Sequence, residues 1–166
     1  MTTVSVISPF YNEGRGLQLF VEKVAHVFAG LDYDLTIIMV DDGSKDNSWS
    51  SLKEIVPENF KLLGIRLAKN FGKEAAIAAG LSLADSDVVI TIDCDLQHPP
   101  ELMESMLKFW EEGAEIVLAV KQERQKESFS TGWQPSFFIK FSIGLLKMIS
   151  MDLAILYFWT AKSSLR

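Results

Sequence analysis

The sequence predicts an α/β protein with a mostly parallel sheet and helices on both faces. Three observations predict it. Five short, β-branched apolar runs punctuate the first 120 residues. Amphipathic stretches of helical period separate them. Polar and charged residues collect just after each run, so one end of the sheet is chemically distinct. Strand–helix alternation of this kind favours parallel strands joined by right-handed crossovers.

The elements follow in order. Val4-Ser5-Val6-Ile7 is the first strand, and its continuous apolar character reads as burial on both faces. Leu17, Phe20, Val21, Val24 and Val27-Phe28 recur on one helical face. Leu35 to Val40 forms the second strand and Ser48 to Ile55 the second helix. Leu62-Leu63-Gly64-Ile65 is the third strand, also read as buried on both faces, followed by a helix over Lys73 to Leu83. Val88 to Ile92 is the fourth strand, Pro100 to Glu112 the next helix, and Ile116 to Val120 the fifth strand.

Composition narrows the class. The chain has 166 residues, 48% hydrophobic and 23% charged, which fits one packed domain rather than a disordered chain. The net charge of -6 argues against a general nucleic-acid binder. The single Cys94 excludes an intrachain disulfide or a multi-cysteine zinc site, and a reducing compartment is expected. Charge is uneven: 9 Lys/Arg stand against 19 Asp/Glu up to Val120, and 7 against 3 from Lys121 onward. The acidic part suits a site that recruits a metal ion, and the basic, apolar tail suits a lipid phosphate or membrane surface. No targeting segment is expected at the N-terminus. The apolar stretch Phe137 to Trp159 is broken by Lys140, Lys147 and Asp152, so it reads as an interfacial or buried segment rather than a span. There Phe137, Phe138, Phe141, Leu145 and Leu146 read as a packing face.

Ligands in such sheets bind beyond the carboxyl ends of the strands. The turn after the first strand, Pro9-Phe10-Tyr11-Asn12-Glu13, lacks the glycines of a dinucleotide turn, and no phosphate-loop sequence occurs. After the fourth strand comes Asp93-Cys94-Asp95. Residues i and i+2 of an extended segment point the same way, so the two carboxylates converge and their repulsion is relieved by a cation. Hard oxygen ligands suit Mg²⁺ or Mn²⁺, which would bridge diphosphate oxygens. After the second strand comes Asp41-Asp42-Gly43-Ser44, where Asp42 is placed to accept hydrogen bonds from a base or ribose. Gly43, Ser44 and Ser48 read as an ordinary turn with a helix cap at Ser48. His98 reads as shaping its loop, and His26 as structural.

Four segments in this order, Pro9-Phe10-Tyr11-Asn12-Glu13, Val40-Asp41-Asp42-Gly43-Ser44, Asn70-Phe71-Gly72-Lys73-Glu74 and Asp93 to Glu101, resemble glycosyltransferase family 2. Within it they most resemble polyprenyl-phosphate sugar transferases. The resemblance covers the chain to about Ser128. It implies a GT-A, Rossmann-like fold over 1–128 that binds a nucleotide sugar, with inversion at the anomeric carbon. The basic tail over 129–166 would then lie on the acceptor side or at the membrane interface.

Carried over by residue, the resemblance implies that Pro9, Tyr11 and Glu13 hold the nucleoside, with Val40 and Asp42 beside base and ribose. Asp93, Asp95 and Gln97 would hold the metal and diphosphate. Cys94, standing where the family usually has Ala, would line the same donor site with some exposure to oxidation. Lys121 and Arg124 would face the diphosphate or acceptor phosphate, Lys121 standing where Arg is usual. The expected reaction is transfer of a hexose from a UDP- or GDP-sugar to polyprenyl phosphate, at the cytoplasmic membrane face. Two alternatives stay open: a hydroxyl acceptor on a polysaccharide or glycolipid, and a non-catalytic nucleotide-sugar-binding protein. Beyond Ser128 the sequence departs from the family. Met151-Asp152-Leu153 lacks the basic residue of the acceptor element, and the paired membrane helices of many members are not seen. A shortened form, a fragment and a divergent copy all fit.

Overall fold

The computed structural model describes residues 1–121, 137–141 and 156–160, with side-chain surroundings given up to residue 119. Strands β1 (Thr2–Phe10), β2 (Tyr33–Asp41), β3 (Lys61–Arg66), β4 (Val88–Thr91) and β5 (Val117–Lys121) alternate with helices α1 (Leu17–Phe28), α2 (Ser48–Glu54), α3 (Lys73–Leu81) and α4 (Leu102–Glu111). Two further strands follow, β6 (Phe137–Phe141) and β7 (Leu156–Thr160). The sheet order is β3-β2-β1-β4-β7-β5-β6. The first four strands are mutually parallel. β7 pairs antiparallel with both β4 and β5, so β5 runs in the same sense as β4, and β6 is antiparallel to β5.

Side-chain alternation along the strands sorts the core into two layers. Val4, Val6, Ile37, Met39, Val88 and Ile90 meet Leu17, Phe20, Val21 and Val24 of α1, Leu52 of α2, and Met103, Met106 and Leu107 of α4. The intervening Ile7, Ile38, Val40 and Val89 face α3 through Ala76. Helices therefore cover both faces, as expected. Each fully buried side chain of this kind contributes about 1.5–3 kcal/mol of transfer free energy. Helix α3 lies close to the sheet because Gly80 has no side chain: a Cβ there would sit 2.5 Å from Ile7 Cγ2.

Two expectations are corrected. Strand β3 is not buried on both faces; Lys61, Leu63, Gly64 and Arg66 are exposed, because the strand sits at the sheet edge. Ser48 does not cap α2. It is the first helical residue, and Asp46 Oδ1 accepts its N–H at 2.9 Å. His26 is exposed on α1.

The apolar stretch after Ser128 also supplies more than its composition suggested. Strands β6 and β7 both come from it, and β7 lies between β4 and β5. Leu145, Leu146, Lys147 and Met151-Asp152-Leu153 lie outside the described residues. Among the described residues, no helix is long and apolar enough to cross a membrane.

Register aligns the carboxyl ends that matter. Phe10 pairs with Asp41 and Asp41 with Arg66, while Ile7 pairs with Thr91. The loops that follow β1, β2 and β4 consequently leave the sheet side by side.

Candidate active site

Each loop is held by its own polar anchors. Asn12 takes a left-handed conformation (φ 57°), which its short side chain tolerates. Its N–H donates to Ser44 Oγ at 2.9 Å, and its Oδ1 accepts the Lys45 N–H at 2.9 Å. The β1 and β2 loops are thus stitched together. Asp41 is wholly buried, its Oδ1 accepting the Ser44 N–H at 2.7 Å. Its Oδ2 faces Arg66 Nε at 3.2 Å, close enough for charge neutralisation but not aligned as a hydrogen bond. Arg66 Nη2 donates to the Ser44 carbonyl at 3.2 Å, and the guanidinium lies over Trp49 at 5.8 Å. Asp41 therefore fixes the turn.

Asp42 is 4% exposed and works across loops. Its Oδ1 accepts the Phe71 N–H at 2.8 Å and its Oδ2 the Gly72 N–H at 2.9 Å. Two backbone donors on one carboxylate clamp the loop before α3 against the end of β2. Gly43 (φ 72°) makes the approach possible, since a Cβ there would lie 2.4 Å from the Lys69 carbonyl carbon. The segment before α3 is thereby part of the site.

The paired acids lie beyond β4, which ends at Thr91, in a loop that turns at Cys94-Asp95, and not on the extended segment expected from the sequence. Asp93 Oδ2 is 2.7 Å from Lys73 Nζ, with the two side chains 27% and 47% exposed. A half-exposed pair of this kind contributes only about 0–1 kcal/mol. Asp95 is exposed, and its Oδ1 accepts the Gln97 N–H at 2.9 Å around a left-handed Leu96 (φ 59°). Cys94, between the acids, is buried. Burial pushes its thiol up to about 12, and the carboxylates of Glu13, Asp95 and Asp93 act in the same direction. Burial works against the expected oxidation, since a buried, protonated thiol is a poor nucleophile. Cys94 should resist iodoacetamide in the folded protein at about pH 8 and react once the chain is unfolded, where a free thiol titrates near about 8.5. Intact mass with and without denaturant reads this out, and rapid labelling of the native chain would contradict it.

These loops enclose a cleft of about 350 Å³ at the carboxyl ends of the strands. Pro9, Phe10, Tyr11 and Glu13 line it from the β1 side, Asp42 from β2, Asn70, Gly72 and Lys73 from the α3 approach, and Asp93, Cys94 and Asp95 from β4. Seven residues singled out from the sequence thus meet: Pro9, Tyr11, Glu13, Asp42, Asp93, Cys94 and Asp95. Val40 does not join them; it is 0% exposed and packs in the layer against α3. Gln97 is exposed and outside the cleft lining. His98 is buried, in keeping with a loop-shaping role. Lys121 ends β5 opposite Phe137, at the same sheet end as the cleft, while Arg124 lies outside the described residues. Lys73 was missed as a site residue. Its motif was visible, but only the fold brings it beside Asp93.

The acids fit a divalent ion. Asp93 already holds one cation, the Lys73 ammonium, at 2.7 Å, and Asp95 and Glu13 line the same cleft. Among the described residues no group of three or more His, Cys, Asp or Glu side chains closes a ligand set. A Mg²⁺-type site asks the protein for only one or two carboxylates, the remaining ligands being phosphate oxygens and water, and Asp93 and Asp95 would supply that share.

A largely parallel sheet with helices on both faces and an acid-lined cleft at its carboxyl edge is the architecture of the GT-A glycosyltransferases that this chain resembles in structure. The mannosyltransferase PcManGT from Pyrobaculum calidifontis, solved with GDP-Man and Mn²⁺, shares this fold: TM-score 0.58 and 23% identity, over 69% of this chain and 34% of that one. The chain belongs to glycosyltransferase family 2, whose profile matches residues 5–164. It is 36% identical over 137 residues to an uncharacterized glycosyltransferase of Synechocystis sp., covering 82% of this chain and 43% of that protein. It is 39% identical over 127 residues to the undecaprenyl-phosphate 4-deoxy-4-formamido-L-arabinose transferase of Proteus mirabilis, covering 76% and 39%. The chain spans less than half the length of these relatives.

Proposed function

We propose that the chain carries out inverting, metal-dependent transfer of a hexose from a UDP- or GDP-sugar to a polyprenyl phosphate. The observation that carries this reading is the meeting of Asp93 and Asp95 with Pro9, Tyr11, Glu13 and Asp42 around one cleft. Family membership and the relative named for undecaprenyl phosphate support the acceptor class.

In this reading the nucleoside lies between Pro9, Tyr11 and Glu13, with Asp42 fixing the loops around it. Asp93 and Asp95 would hold Mg²⁺ or Mn²⁺, which when bound supplies charge neutralisation for the departing diphosphate. Cys94, neutral and small, fills the space between the acids without competing for the ion. An acceptor phosphate oxygen forms its bond to the anomeric carbon as the bond to diphosphate breaks, on the opposite face. That oxygen is already anionic, so the chain need not supply a strong base, whereas a sugar hydroxyl would require one. We assign Lys121 and Arg124 to the phosphates and, apart from β6 and β7, which belong to the sheet, residues 129–166 to the acceptor side at the cytoplasmic membrane face.

A ligand that binds only the folded state raises its stability. UDP- or GDP-sugar at about 100 times Kd should raise Tm by roughly 5–10 °C, with Mn²⁺ and not without it. Transfer to polyprenyl phosphate but not to a saccharide supports the acceptor assignment. Transfer to the saccharide instead would move the chain to the hydroxyl-acceptor alternative. Binding with no transfer to either would leave a nucleotide-sugar-binding protein.

A further inference from the structure

We propose that Lys73 is a built-in counter-ion for Asp93, which a divalent ion must displace, so that metal and nucleotide diphosphate bind together far better than either alone. The inference rests on the donor-site reading above and deepens it.

Lys73 is the first residue of α3, and the chain before it is clamped by the two bonds from Asp42 to the Phe71 and Gly72 N–H groups. The backbone that carries the ammonium is therefore fixed relative to the acids. Its Nζ sits 2.7 Å from Asp93 Oδ2, on an oxygen that a metal ion would need. Cation and cation cannot share that oxygen, since the two positive charges would repel at short range. The exposed pair is weak enough to break. Once broken, the ammonium stands in a cleft lined by Glu13, Asp42, Asp93 and Asp95, and metal charge has taken its partner. The diphosphate is the anion that answers both cations. Without metal the acids repel the diphosphate, and without diphosphate Lys73 competes with the metal.

Lys73 is a positioning residue in this account, and metal affinity is the readout that a merely structural residue would not move. The side chain is half-exposed, and Met has a helix propensity close to that of Lys, so Lys73→Met should fold. Circular dichroism and a melting profile are to be recorded for each variant and should match wild type. Mn²⁺ is titrated calorimetrically into the full chain, wild type, Lys73→Met and Lys73→Arg, alone and with saturating UDP or GDP. For wild type the nucleotide should tighten Mn²⁺ binding by at least about 10-fold. Lys73→Met should bind Mn²⁺ alone about 3–10 times more tightly, and the nucleotide should improve it by a smaller factor. Lys73→Arg keeps the charge and should retain most of the wild-type coupling. Unchanged or weaker Mn²⁺ binding by Lys73→Met alone, while wild type binds metal and nucleotide together, overturns the counter-ion role and leaves the donor-site reading standing. Wild type that takes up no Mn²⁺ with either nucleotide overturns both.

Discussion

Replacing Asp95 with Asn should abolish metal-dependent binding of UDP and GDP, lowering affinity by on the order of 100-fold or more. Asn is the informative change. Asp95 Oδ1 accepts the Gln97 N–H, and an Asn side-chain oxygen can keep that bond while losing the charge. Asp95 is exposed, so the fold should be untouched, with Tm within about 2 °C of wild type. Loss of affinity would then report the missing carboxylate and not a collapsed loop. Asp95→Ala removes both the charge and the turn bond and should be at least as severe. Calorimetric titration of nucleotide in the presence of Mn²⁺ measures the effect. Affinity for Asp95→Asn within about threefold of wild type, a difference under ~1 kcal/mol, would remove Asp95 from the donor site.

The largest effect on stability should come from Gly43→Ala. A non-glycine residue at φ 72° carries a strain of about 1–2 kcal/mol. The added Cβ also meets the Lys69–Asn70 backbone, at 2.4 Å from the Lys69 carbonyl carbon and 2.6 Å from the Asn70 nitrogen. Backbone on both sides cannot move aside as a flexible side chain would, and overpacking of this kind costs a further ~1–3 kcal/mol. The sum of about 3 kcal/mol lowers Tm by roughly 6–12 °C in a chain of this size. If the loop before α3 is pushed away, the Phe71 and Gly72 N–H groups also leave Asp42, so nucleotide binding should weaken with stability. A thermal melt within about 2 °C of wild type would show that this close approach does not matter.

Much of this was legible in the sequence because strands and site obey local rules. Continuous apolar runs located β1, β2, β4 and β5, and the 3.6-residue period located the core face of α1. The carboxyl-end rule then pointed to Asp42, Asp93 and Asp95 before any fold was in hand. What the sequence concealed depends on neighbours distant along the chain. Strand β3 has the composition of a buried strand but lies at an edge. Strands β6 (FFIKF) and β7 (LYFWT) are nearly continuous apolar runs that read equally well as a packing or interfacial segment, and β7 joins the sheet out of sequence order. Val40 closes the apolar run before the acids, yet its side chain points into the α3 layer, away from the cleft. Asp42 reads as a free ligand, but both its oxygens serve the backbone at Phe71 and Gly72. Lys73 and Asp93 stand 20 residues apart, and only the parallel crossover through α3 brings them within 2.7 Å.

In the proposed donor site, Asp93 and Asp95 together would hold a divalent ion against the donor's diphosphate. Crystals of the chain grown with Mn²⁺ and UDP or GDP test it most directly, through the anomalous scattering of manganese. One strong peak is expected, bonded to carboxylate oxygens of Asp93 and Asp95 and to phosphate oxygens, with Lys73 Nζ withdrawn from Asp93. Nucleotide bound in the cleft with no manganese at those carboxylates, and Lys73 still paired to Asp93, would contradict it.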